Sequence, residues 1–162
     1  MTINYNSEKL SEMVHYIIFN CSSNPNFGKT VLYKLLYFSD FNHYKKNNKS
    51  ITNEDYRKIE FGPAPVHIAI IINKLEKENK IETKQLSQNT KYKILDIPKL
   101  SKLSKEEIST IDKVIKKLGN LSATQISNLS HKDNPYIVSK DKEIIDYDLV
   151  FYRAESLEKL VE

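Results

Sequence analysis

Glycine, proline, cysteine and arginine are all scarce in this chain. Its 162 residues hold 3 Gly, 5 Pro, 1 Cys and no Trp. So few glycines and prolines exclude collagen-like and linker-like chains. A lone Cys21 can neither close an intramolecular disulfide nor supply a set of thiolates to zinc, which fits a reducing compartment. Its neighbours Ile17 and Ile18 mark it as a buried thiol, and no basic residue close in sequence would activate it. Long apolar runs are missing too: the longest, Ile68 to Ile72, is far short of the ~20 residues that span a bilayer. Met1 to Asn6 lacks a basic start followed by an apolar run, so no leader is expected there and a cytoplasmic location is.

What is present is an ordinary globular composition: 40% hydrophobic, 28% charged, with 10 Tyr and 6 Phe for the core. The length reads as a single domain, 1–162, with a minor joint near 97–103 at Ile97-Pro98-Lys99. The net charge is +4, unevenly spread. Residues 1–100 carry 15 basic and 10 acidic side chains, residues 101–162 carry 10 and 11. That bias admits an anionic partner. However, 23 of the basic residues are Lys and only Arg57 and Arg153 are Arg, a poor supply for reading base edges. Nucleic-acid binding is therefore expected to be weak and non-specific at most.

Hydrophobic spacing predicts a mainly α (α+β) fold, a compact multi-helix domain with a small antiparallel hairpin, winged-helix-like in one reading. Leu10, Met13, Val14, Ile17, Ile18 and Cys21 form one helical stripe after Ser7. A second helix from about Gly28 to Lys46 is apolar almost all round, which places it at the centre. Ile51-Thr52 reads as a short strand or turn, and Phe61-Gly62-Pro63-Ala64-Pro65 as a stiff break before a helix over 65–78 that points Val66, Ile68, Ile71, Ile72 and Leu75 inward. Lys80 to Leu86 and Lys91 to Leu95 read as a hairpin joined by Ser87-Gln88-Asn89-Thr90. Ser104 with Glu107, and Ser122 with Gln125, are two capping boxes opening two further helices. Ala154 to Val161 reads as a terminal helix.

Catalytic chemistry has little to work with. The glycines at 28, 62 and 119 are too scattered for a phosphate loop, and His15, His43, His67 and His131 show no ligand spacing. No catalytic residue, metal or cofactor is expected, and no enzymatic activity. Asp40 and His43, three apart on one helix, are the best local pair; a polar pair fixing the helix is preferred over a general base or half a metal site. His131 reads as a cation closing a helix C-terminus. A DNA-binding transcriptional regulator is the alternative function. It would use a winged-helix-like unit over 28–95, with Lys80, Lys84, Lys91 and Lys93 on the wing, or a helix-turn-helix over 104–130.

One ordered set of motifs is specific. Lys34-Leu35-Leu36-Tyr37-Phe38-Ser39-Asp40, His43-Tyr44, Ser50-Ile51-Thr52 and Phe61-Gly62-Pro63-Ala64-Pro65 together resemble the Panacea domain of the SocA-like antitoxin family, met also in phage-associated proteins. Leu121-Ser122-Ala123 and Ser130-His131 resemble its C-terminal part, so the resemblance covers about residues 7–152. Two departures stand out: family members tend to carry Gly where Asn48 or Lys49 stands, and Trp near Tyr136. The resemblance implies a non-enzymatic antitoxin of a toxin–antitoxin system that neutralises a cognate protein toxin by direct binding. It also implies, in one kind of member, an adaptor role towards a protease. Lys34, Tyr37, Asp40, His43, Tyr44, Phe61, Gly62, Pro63, Pro65 and His131 are its candidate partner-binding or motif residues. Tyr37, Tyr44 and Phe61 are the candidate aromatic anchors, and the Gly62–Pro65 corner is expected to take hydrogen bonds from Asp40 or His43.

Overall fold

The computed structural model describes residues 5–162; of the N-terminal stretch read for a leader, Met1 to Asn4 lie outside the described residues. Helix α1, Ser7–Cys21, is capped by Asn6, whose side chain accepts the Lys9 N–H at 3.0 Å. Helix α2, Lys29–Asn47, ends where Asn48 turns left-handed at φ 55°. Asparagine tolerates that conformation, so the turn closes without the glycine that the resemblance leads one to expect there. Cys21 is buried as expected, and burial pushes its thiol up to about 11.

Two hairpins follow. Strands β1, Tyr56–Ile59, and β2, Gly62–Pro65, pair antiparallel with Ile59 opposite Gly62. The break expected at 61–65 is thus a strand, and the following helix, α3, spans Ile68–Lys77 instead of starting at Pro65. The misreading has a cause: two prolines in four residues argue against an interior strand, but β2 is an edge strand facing helix α2 and the helical segment Ala123–His131, where missing N–H groups leave no orphan donors. The other side of β1 is covered by residues 142–145, through bonds such as Ile145 N to Tyr56 O at 2.8 Å. Ile68, Ile71 and Leu75 of α3 are buried as expected, whereas Val66 is exposed. Strands β3, Ile81–Leu86, and β4, Asn89–Ile94, form the anticipated hairpin, with a tighter turn at Ser87-Gln88 than the four-residue loop expected.

Helices α4, Lys105–Leu118, and α5, Ala123–His131, both open on complete capping boxes. Each box satisfies two otherwise orphaned N–H groups. Helix α6, Asn134–Val138, starts with Pro135 in its first turn, where the missing N–H would be unpaired anyway. A 3-10 turn, Tyr147–Tyr152, leads to the terminal helix α7, Glu155–Val161. The segment near 97–103 is strapped to α1: Glu12 accepts the backbone N–H groups of Lys102 at 2.9 Å and Leu103 at 3.2 Å.

Helix α2 is the axis. It packs against α1, α4, α5, β2 and the 3-10 turn, and Val31, Leu32, Leu35, Leu36, Tyr37, Phe38 and Phe41 are all closed to solvent. The C-terminal segment is locked to it by an ion pair fully inside the protein. Arg153 grips Asp133 with Nε at 2.9 Å and Nη2 at 2.8 Å, and Tyr37 Oη donates to the same carboxylate at 2.7 Å. Removing one partner of such a pair leaves an uncompensated buried charge, costing about 3–5 kcal/mol. Arg153→Met is accordingly expected to lower unfolding free energy by about that amount in urea titrations; a loss under about 1 kcal/mol would show that the pair is not fully desolvated.

Candidate functional site

The ten candidate residues separate by depth. Tyr37, Asp40 and Lys34 are wholly inside, His43 nearly so, and Tyr44 is half-buried. Phe61 is the exposed aromatic of the three candidate anchors, at 64%; Tyr37 belongs to the core.

Asp40 and His43 do not meet. On a helix covered all round, each finds its own neighbour. Asp40 accepts the N–H groups of Ile51 and Thr52, both at 2.9 Å, and the hydroxyls of Thr52 and Tyr56, both at 2.6 Å. It therefore fastens the loop before β1, not the Gly62–Pro65 corner as expected. His43 Nδ1 lies 2.8 Å from Thr110 Oγ1 of α4, and burial lowers its pKa. It borders a 580 Å³ cleft with Lys46, Asn47 and Lys113. Nearby, Lys45 is neutralised by Glu158 and Glu162 at 2.7 and 2.9 Å. No group of three or more His, Cys, Asp or Glu that could hold a metal occurs among the described residues.

The corner itself packs on α2 and α5, and the hairpin tip just before it bonds to α5 and α6. Three successive carbonyls at the tip of the β1–β2 hairpin each face a side-chain donor. Tyr136 Oη donates to Ile59 O at 2.7 Å, His131 Nε2 sits 2.9 Å from Glu60 O, and Ser127 Oγ donates to Phe61 O at 2.6 Å. Because a carbonyl can only accept, His131 carries its proton on Nε2. Its ring lies 4.9 Å from that of Tyr136, and the Lys58 ammonium stands 4.5 Å over the same Tyr136 ring. His131 thus pins the hairpin, a role that its place in a helix's last turn did not disclose.

Under the tip lies Lys34. Gly62 has φ +110°, a conformation that side chains rarely adopt. A Cβ there would stand 2.4 Å from Ser130 Oγ and 2.5 Å from Lys34 Cε. Glycine is therefore required twice over, by the turn and by the close approach of Lys34. The lysine is 1% exposed, and burial alone pushes its pKa down to about 8. Sequence reasoning named Lys34 through the motif; nothing in its spacing tells a buried lysine from a solvated one.

The architecture defines a small, mainly helical α+β domain whose first hairpin is pinned over a buried lysine. Residues 32–137, well over half of the chain, match the family model of the antitoxin SocA-like Panacea domain, and the chain belongs to that family. The matched span contains every motif residue discussed above. No curated protein and no solved structure matches the chain.

Asp40 generates a pH dependence of unusual sign. Burial raises its pKa, against the lowering effect of its hydrogen bonds, from 3.8 to about 6. The folded chain then holds this proton more tightly than the unfolded one. The associated stability is complete below the unfolded value and is lost as pH rises through about 6. Asp40→Asn does not titrate. The stability of wild type relative to this variant is expected to fall by up to about 3 kcal/mol between about pH 4 and 7 in chemical denaturation; a difference that grows with pH would contradict the assignment.

Proposed function

We propose that the chain is the antitoxin of a toxin–antitoxin pair, a non-enzymatic cytoplasmic protein that neutralises a partner protein toxin by direct binding. The observation that carries this reading is the family match over residues 32–137. The surface that supports it is the face around the hairpin tip. Phe61 projects there with Ile59, while Ile137 and Val138 of α6 are 51% and 60% exposed. These residues are neighbours because Tyr136 bonds Ile59 O and Lys58 Nζ bonds Ser139 O at 3.0 Å. Tyr152, whose carbonyl accepts from the Asn134 side chain at the start of α6, is also exposed.

Apolar side chains grouped beside polar ones suit a protein interface, where a few aromatic and aliphatic anchors carry most of the energy. No helix of the described residues is long and apolar enough to cross a membrane. A stable complex would cover about 1,200–2,000 Å² in total, more than these side chains alone supply, so the rim includes Lys58, Glu60 and Lys140.

Growth arrest by the product of the adjacent open reading frame, relieved by co-expression of this chain, is the expected result; arrest that persists would overturn the antitoxin reading. Phe61→Asp is expected to abolish rescue and weaken binding about 30-fold or more, as loss of a central anchor does. The thermal midpoint should stay within about 2 °C of wild type because the side chain faces solvent.

A further inference from the structure

Lys34 is 1% exposed, with no hydrogen-bond or ion-pair partner for its ammonium among the described residues, so solvent reaches the charge at most through a narrow opening, and burial lowers its pKa. A buried charge without a counter-charge is costly, and a methionine of similar length would fill the same space without that cost. The carboxylates around α2 are already engaged. Asp40 serves the 51–52 loop and Tyr56, and Asp133 holds Arg153 and Tyr37. Glu54 takes the backbone N–H and Nδ1 of His67 at 2.8 and 2.6 Å. Ser130 Oγ, which shares the space beside Gly62, donates to Ser127 O at 2.7 Å. The complementary charge is therefore not supplied from within the fold.

The place of Lys34 indicates where that charge would come from. Its Cε and Nζ lie against Gly62, one residue from the exposed Phe61. The cover is a two-residue turn held to α5 and α6 by three side-chain bonds to carbonyls. Water or a partner can replace bonds of that kind without disturbing the β1–β2 ladder. Glu60 is fixed in the turn by its own carbonyl, and its side chain is exposed.

We propose that Lys34 is the seat for a carboxylate of the toxin, an Asp or Glu side chain that enters beside Phe61 as the Glu60–Gly62 tip lifts from α5. This rests on the antitoxin reading and adds the chemistry that the partner must present: one acidic residue flanked by apolar ones, matching Phe61, Ile59, Ile137 and Val138 around the entry. The bound carboxylate keeps the lysine charged, and complex formation takes up a proton at mildly alkaline pH. A domain that holds an uncompensated ammonium until its partner arrives gives up stability in the free state and gains specificity in the bound one, since a partner lacking the acid would leave the charge buried and unpaired.

The test uses the full chain and the product of the adjacent open reading frame. Lys34→Met is expected to fold with a thermal midpoint at or above that of wild type and to bind that product at least about tenfold more weakly. Carbon-13 NMR of the lysine Cε should show Lys34 titrating near 8 in the free chain and returning above about 10 in the complex. Equal binding by wild type and Lys34→Met, or a titration near 8 that persists in the complex, would overturn the proposal while leaving the antitoxin reading in place. Parallel losses of stability and binding in Lys34→Met, with no change of titration, would likewise overturn it. If wild type does not bind the product at all, the antitoxin reading falls first, and the lysine seat with it.

Discussion

Four hydrogen bonds to one buried carboxylate decide where the first hairpin goes. Asp40 sits in the middle of a helix closed on all sides, and its two oxygens gather Ile51, Thr52 and Tyr56. That fixes the chain as it enters β1. A two-residue turn then returns it as β2 along α2, and the tip lands over Lys34. The face proposed for the partner is built on this hairpin, so it depends on Asp40 although Asp40 touches none of it.

A second buried carboxylate does the same for the other half. Asp133 precedes α6, and its bidentate bond to Arg153 with the Tyr37 hydroxyl ties α6 and the C-terminal segment to α2. The hairpin tip and α6 therefore hang from the same helix through Asp40 and Asp133. The three pins between them, from Ser127, His131 and Tyr136, join two parts already fixed. This division suits a binding surface: the frame is held by buried, multiply bonded carboxylates, and the tip by single bonds near solvent.

Local chemistry was legible wherever it acted over a few residues. The capping boxes at Ser104 and Ser122, the amphipathic stripe of α1 and the hairpin over 81–94 follow from spacing alone. The hairpin over 56–65 did not, because Pro63 and Pro65 mark a break unless one knows that the edge they occupy is covered by helices. The Asp40–His43 pair failed for a related reason. A spacing of three puts two groups on one face of an exposed helix, but around a buried helix neighbours only about 60° apart already belong to different elements: Thr52 and Tyr56 for one, Thr110 for the other. Asp133–Arg153 lay beyond local reasoning, although the rarity of arginine was itself a signal. One of two arginines is used for the bidentate grip that lysine cannot make.

The central claim is that the partner docks on the hairpin tip and α6, and hydrogen exchange on the complex tests it most directly. The account predicts that binding of the neighbouring gene's product slows amide exchange over residues 57–64 and 134–142 and leaves α3 and the β3–β4 hairpin at their free rates. Protection concentrated on 68–94, with the first hairpin unchanged, would contradict it.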